Sequence, residues 1–168
     1  RALNILFIGS LHQRKGLKEL LECFLEFGNK VNFRIVGSGD LASEIESFID
    51  LHKPKNIQRF NGTNHDNELK EHFSWCDLTI NNKQAGLSVL SSIQRGIPVL
   101  CYRDAISGGE KFAITHGLTG YFYIDMDDLV ARVNQILDNQ QIVHDMSKNC
   151  AMYEKERNIS SMVKSFLL

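Results

Sequence analysis

Gly86 stands at the mouth of "GLSVLSSIQ" (86–94), an apolar stretch with helical character that runs on to Gly96-Ile97-Pro98 and a short strand. A helix that opens on glycine leaves the first backbone N–H groups free, and such a terminus attracts anions. Far upstream, Gln13-Arg14-Lys15-Gly16 closes a loop ahead of another helix with two adjacent cations. Lys15 and Arg14 suit the neutralisation of a phosphate, and they suit equally a solvated basic turn. Glycines recur where apolar runs stop, at Gly9, Gly37, Gly39 and Gly62. Each can serve close approach of a ligand to backbone, or simply the turn itself. The chemistry on offer is anion binding.

Other chemistries lack their signatures. There is no G-x-x-x-x-G-K-[ST] loop, no G-x-S-x-G elbow and no H-E-x-x-H pair. "VGSGD" (36–40) has only two glycines and is a weak dinucleotide fingerprint. The six histidines have no metal-ligand spacing; His12 and His65 merit attention because both fall in loops at the expected ligand edge. Cys23, Cys76, Cys101 and Cys150 form no C-x-x-C pair and read as reduced packing residues of a cytosolic protein. No metal site is expected.

These residues need a scaffold, and the hydrophobic pattern supplies one. Apolar runs at 3–9, 31–37, 57–62, 77–80, 97–102 and 120–124 read as strands. Helical patterns alternate with them at 16–28, 40–52, 66–76, 87–95, 108–117 and 126–139, and 140–168 reads as helical. In the first helix Leu17, Leu20, Leu21, Phe24 and Phe27 share a face; in the second Asp40 is the expected N-cap. Trp75 is expected in the core. In the last segment Ile159, Met162, Val163 and Phe166 make the apolar face.

Six strands alternating with helices predict an α/β, Rossmann-like doubly wound parallel sheet covered on both faces. In such a sheet the ligand lies beyond the carboxyl ends of the strands, where strand order reverses. Residues 1–168 read as a single domain of ordinary size. The formal charge of −1 invites neither nucleic acid nor an acidic membrane, and no apolar run approaches the roughly 20 residues that span a bilayer. A chain that begins with Arg1 and enters a strand almost at once reads as a piece of a longer protein.

In order, "ILFIGSLHQRKGLKELLECF", "FRIVGSGDLASEIESFI", "IQRFNGTNHDNELKEHFSWCDLTI", "GLSVLSSIQRGIPVLCY" and "SGGEKFAITHGLTGYFY" resemble the C-terminal, donor-binding domain of family-four retaining glycosyltransferases of the GT-B fold. The resemblance runs from Ile5 to about Leu137. It implies that Lys15 reaches the donor phosphates, with Arg14 from the same loop standing in for an arginine that is Ser10 here. It implies that Gly9 admits the diphosphate, and that amides of Gly86, Leu87 and Ser88 take the distal phosphate. Gly37 closes the second strand end, and Gly62, Thr63 and Asn64 would lie against the nucleobase.

The departures fall on sugar recognition. The family's Glu-x7-Glu pair falls on Lys83 and Ser91, in a loop about three residues short, and the glutamate after Gly-Gly is Phe112, with Glu110 two residues earlier. Ser91 retains a hydroxyl for the ribose. The resemblance implies a retaining hexosyltransferase that uses a nucleotide-diphosphate sugar, a glycan or lipid-linked acceptor and no metal or other cofactor. It implies polysaccharide assembly as a setting, cytoplasmic and peripheral to a membrane through a preceding N-terminal acceptor domain. Segment 151–168 would pack toward that domain, and the fragment alone would be inactive. A non-catalytic sugar-nucleotide sensor or partner subunit is the alternative, motivated by Lys83 and Ser91. An epimerase or a receiver domain finds less in the residues.

Overall fold

The computed structural model describes residues 1–166, with side chains described through Tyr153 and at Lys155. Six strands form one all-parallel sheet: β1 (Leu3–Ile8), β2 (Val31–Val36), β3 (Ile57–Phe60), β4 (Leu78–Asn81), β5 (Val99–Tyr102) and β6 (Gly120–Tyr123). Their order is β3-β2-β1-β4-β5-β6, so the direction of winding reverses between β1 and β4. The doubly wound sheet predicted from alternation is present. β1 pairs with β2 along its whole length, from Leu3 with Val31 to Ile8 with Val36, and with β4 at Ile5–Leu78 and Leu6–Thr79.

Alternating side chains of each strand point to opposite faces, so a sheet covered on both sides needs two cores. Leu3, Ile5, Phe7, Phe33, Ile35, Leu78 and Ile80 join the larger core. Helices α1 (Leu17–Phe27) and α5 (Met126–Asp138) bury Leu17, Leu20, Leu21, Phe24, Leu129, Val133 and Ile136 there. On the other face Leu6 and Val36 meet Phe73 of α3 (Asp66–Trp75), while Val99 and Cys101 meet Val89 and Ile93 of α4 (Leu87–Gln94). The long α6 (Gln141–Phe166) sends Met146 to the first core and Cys150 to the other. Its expected apolar face at Ile159, Met162, Val163 and Phe166 lies outside the described side chains.

Several local expectations change. Asp40 does not cap α2 (Ala42–His52); Leu41 precedes that helix with no side-chain cap. The amide of Ala42 already bonds the carbonyl of Gly39 at 3.0 Å and that of Leu41 bonds Leu11 at 3.0 Å. Asp40 is thereby released to meet His12 Nδ1 at 3.0 Å. Trp75 is half-buried and packs against the Leu6, Val36 and Phe73 cluster from its edge. It lies under the Arg34 guanidinium, 3.9 Å from the ring centre, with Phe60 on the same cation at 4.7 Å. The helix expected over 108–117 contracts to a single 3₁₀ turn, Glu110–Ala113. All four cysteines are free thiols, as expected, and burial raises Cys76, Cys101 and Cys150 to about 12.

Candidate functional site

The carboxyl ends of β1, β2 and β3 are held together by backbone. Gly9 N–H donates to Val36 O at 3.0 Å, Leu11 N–H to Ser38 O at 2.9 Å and Gly37 N–H to Phe60 O at 3.1 Å. A Cβ on Gly37 would collide with the carbonyl oxygen of Gly9, so glycine is required there for close approach. Ser38 Oγ accepts from Gly62 N–H at 3.1 Å and ties in the third loop. Above these ends lies an open cleft of about 370 Å³, lined by Gly9, Ser10, Gly37, Gly62, Thr63 and Asn64 among others. All six are sequence-predicted donor residues, and the fold brings them to one cleft.

The second part of the site forms across the reversal between β1 and β4. Gln13–Lys15 make a 3₁₀ turn that ends on Gly16 at φ +65°. A Cβ on Gly16 would lie 2.5 Å from Asn82 Nδ2, so both conformation and space demand glycine. Asn82 Nδ2 donates to Gly16 O at 2.8 Å, and Tyr123 Oη donates to Asn82 Oδ1 at 3.0 Å and to Asn81 O at 3.2 Å. Burial raises the Tyr123 phenol well above its ordinary value, so it stays protonated and donates. This buried chain of contacts fixes the turn that carries Lys15.

Lys15 extends from that turn to α4. Its Nζ lies 3.8 Å from the position a Cβ on Gly86 would take. Gly86 is extended at φ −139° and offers no side-chain cap, so the first amides of α4, at Leu87 and Ser88, have no capping acceptor. Ser88 turns its hydroxyl to Asn81 Oδ1 at 3.0 Å. The Lys15 amine is half-buried and held below the ordinary lysine value, by desolvation first and by Arg14 second, with Glu110 opposing. A half-buried ammonium over an uncapped helix terminus is a site for an anion.

The remaining predicted residues are placed as follows. Arg14 is exposed beside Lys15. Lys83 turns its amine to Glu19 on α1 and ion-pairs there. Ser91 is half-buried on α4, one turn beyond Leu87. His12 is occupied by Asp40, and His65 is the exposed residue preceding α3. Exposed apolar side chains border the α4 terminus: Leu87 at 71%, Ile106 at 69% and Phe112 at 86%. Asn81, Asn82 and Tyr123 were not expected in the sequence reading; two asparagines closing an apolar strand were the available signal. No cluster of three or more potential metal ligands occurs among the described residues. None of the described helices is long and apolar enough to cross a membrane.

The family model for glycosyl transferases group 1 matches residues 2–155. The chain belongs to that family. Among curated glycosyltransferase relatives, the alpha-monoglucosyldiacylglycerol synthase of Acholeplasma laidlawii is 22% identical over 156 residues, which cover 89% of this chain and 38% of the relative. Among solved structures, a mutant of S. aureus TarM in complex with fondaparinux, alpha-GlcNAc-glycerol and UDP aligns over 99% of this chain and 35% of TarM. Its TM-score is 0.80 at 19% identity. The C-terminal domain of the group 1 glycosyltransferase LpcC from Francisella tularensis aligns over 93% of this chain and 86% of its own, with TM-score 0.77 at 14% identity. The fold of this group 1 chain is thus the Rossmann-like half of a GT-B glycosyltransferase. The chain spans well under half the length of the curated relative.

Proposed function

We propose that this domain binds the diphosphate of a nucleotide sugar and supplies the donor half of a glycosyl transfer. The observation that carries the reading is the Lys15 amine placed over the uncapped terminus of α4 at Gly86. When the bond from the anomeric carbon to the diphosphate breaks, its electron pair stays on the leaving phosphate oxygen. Lys15 and the amides of Leu87 and Ser88 stabilise that developing charge from fixed positions, with Arg14 adding field from the loop. Fixed donors of this kind need no metal, and the proposed reaction uses none. The cleft at Gly9, Gly37 and Gly62 takes the nucleoside, with Thr63 and Asn64 against the base.

The transferred group in this reading is a hexose, moved with retention to a glycan or lipid-linked acceptor. UDP in the TarM complex and the glycolipid in the name of the A. laidlawii relative support that choice. An N-terminal acceptor domain of the same protein, reached by the exposed Leu87, Ile106 and Phe112, completes the proposed enzyme, which works on the cytoplasmic side and at a membrane through that domain. Titrating the full-length protein with UDP, GDP, ADP and their hexose conjugates tests the reading. Saturable binding of one nucleoside diphosphate, lost in Lys15→Ala, is the expected result; no binding to any would end it. One observation favours a second reading, a sugar-nucleotide-binding partner without activity: Lys83, at a position where the resemblance puts a sugar-binding carboxylate, is spent on Glu19. A full-length protein that binds donor yet transfers no hexose would favour that partner.

A further inference from the structure

One charged group near Lys15 has no role in that reading. Glu110 opens the 3₁₀ turn in the loop between β5 and β6. This loop is stitched to the segment that enters α4: Ala85 N–H donates to Ile106 O and Ile106 N–H to Lys83 O, each at 2.9 Å. Lys111 Nζ braces it further, donating to Arg103 O at 2.8 Å and Ala105 O at 2.9 Å. The Glu110 carboxylate is itself clamped. Ser107 Oγ donates to Oε2 at 2.8 Å while accepting from the amides of Gly109 and Lys111 at 3.1 and 3.2 Å.

Its own amide, the Ser107 hydroxyl, the Gly108 amide and the charge of Lys15 hold this carboxyl below the usual range. Lys15 in turn feels Glu110. An ionised carboxylate therefore shares the field of the amine that faces Gly86. It is an acceptor only. Beside a phosphate subsite it repels phosphate, so the part of the ligand that covers it must be neutral and must donate hydrogen bonds. Ring hydroxyls of a sugar meet both conditions. Phe112 points to solvent at 86% exposure and Lys83 is held by Glu19, so neither offers an acceptor in its place.

We propose that Glu110 recognises the sugar of the donor, accepting hydrogen bonds from its ring hydroxyls while Lys15 and the α4 terminus hold the diphosphate. The inference rests on the nucleotide-sugar reading above. It is tested by calorimetric titration of the full-length protein and its Glu110→Gln variant with UDP, GDP and ADP, each alone and as its glucose and N-acetylglucosamine conjugates. The substituted glutamine carries no charge but keeps the length and an oxygen for Ser107, so the loop is retained. With the base that binds, the variant should weaken the hexose conjugate about tenfold or more, the scale of a hydrogen bond to a charged group. The free diphosphate should bind as before or more tightly, since a negative charge beside Lys15 has gone. Equal weakening of both ligands, or no change in their ratio, would overturn the role of Glu110 and leave the diphosphate site standing. Failure of the unmodified protein to bind any nucleoside diphosphate would overturn both.

Discussion

Lys15 Nζ lies 3.8 Å from the point at which a Cβ on Gly86 would sit, although 71 positions of sequence separate the two residues. The amine comes from the loop after β1 and the glycine from the loop after β4, neighbours only because the sheet reverses its winding between those strands. The contact joins a side-chain cation to a fixed partial positive charge, an arrangement unfavourable by itself and favourable once an anion bridges them.

Replacing Lys15 by Ala should therefore cost affinity for a nucleoside diphosphate without costing stability. A charge-assisted hydrogen bond is worth about 1.5–3 kcal/mol, or roughly 10- to 100-fold in Kd. Calorimetry on both proteins measures the first effect. Thermal unfolding without ligand should show the variant no less stable, because a desolvated amine has been removed.

The same amine sets a pH dependence for binding. Desolvation and Arg14 lower Lys15 from 10.5, so its charge is lost at a lower pH than that of an ordinary lysine. Diphosphate affinity should fall as pH rises through that lowered value. The fall should disappear in Lys15→Arg, whose charge persists throughout.

Two glycines at the site should respond oppositely to alanine. Gly37→Ala drives a methyl into the carbonyl of Gly9, which is backbone and cannot swing away, so a loss of about 1–3 kcal/mol is expected on denaturant unfolding. Gly86→Ala meets only the end of a lysine at an ordinary contact distance and has a permitted φ. Its stability should change by no more than about 0.5 kcal/mol, while diphosphate binding weakens where the new methyl intrudes.

Asn82→Ala strips the partner from Gly16 O and leaves the Tyr123 phenol only its contact with Asn81 O. Leaving buried polar groups unpaired costs about 1–3 kcal/mol. Diphosphate affinity should drop with it, because the turn bearing Lys15 loses its anchor; Asn82→Asp should not rescue, having no N–H for Gly16.

His72 predicts an acid-side loss of stability. It is buried, with the Arg34 guanidinium 3.3 Å from Nδ1 and Phe60 edge-on, and burial first and Arg34 second lower its pKa below 6.5. Glu71 and Glu68 oppose the shift without reversing it. The unfolded chain therefore takes up the proton first as pH falls. Stability should decline from pH 6.5 downward and level off below the folded value, and His72→Gln should flatten that part of the profile.

The scaffold was legible because buried parallel strands are written as apolar runs and their helices as stripes. Leu17, Leu20, Leu21 and Phe24 are buried as their spacing required, and Gly9, Gly37 and Gly62 at the strand ends do line the cleft. What escaped was polar and tertiary. Asp40 has the right type and place for a cap, yet the amides of Leu41 and Ala42 are satisfied by the carbonyls of Leu11 and Gly39. The Tyr123–Asn82–Gly16 chain joins three loops or strands distant in sequence, and no local pattern records it. Lys83 carried a charge whose partner, Glu19, only the folded chain could supply.

The halves of the sheet meet at a narrow seam. β1 and β4 register at only two residue pairs, while β1 and β2 register at six. Closing that seam joins Ile5 to Leu78 and Leu6 to Thr79, far apart in the chain, so it carries the loop-closure entropy of the intervening segment. The diphosphate would straddle the same line, held from the β1 loop on one side and the β4 loop on the other. Donor would then act as a cross-brace, adding RT ln(1 + [L]/Kd) of stability where the sheet is least continuous. Hydrogen exchange at Asp77, whose N–H donates across the seam to Asn4 O at 2.8 Å, should slow with ligand more than exchange at Phe33, and nucleotide would then also tune how often the two halves part.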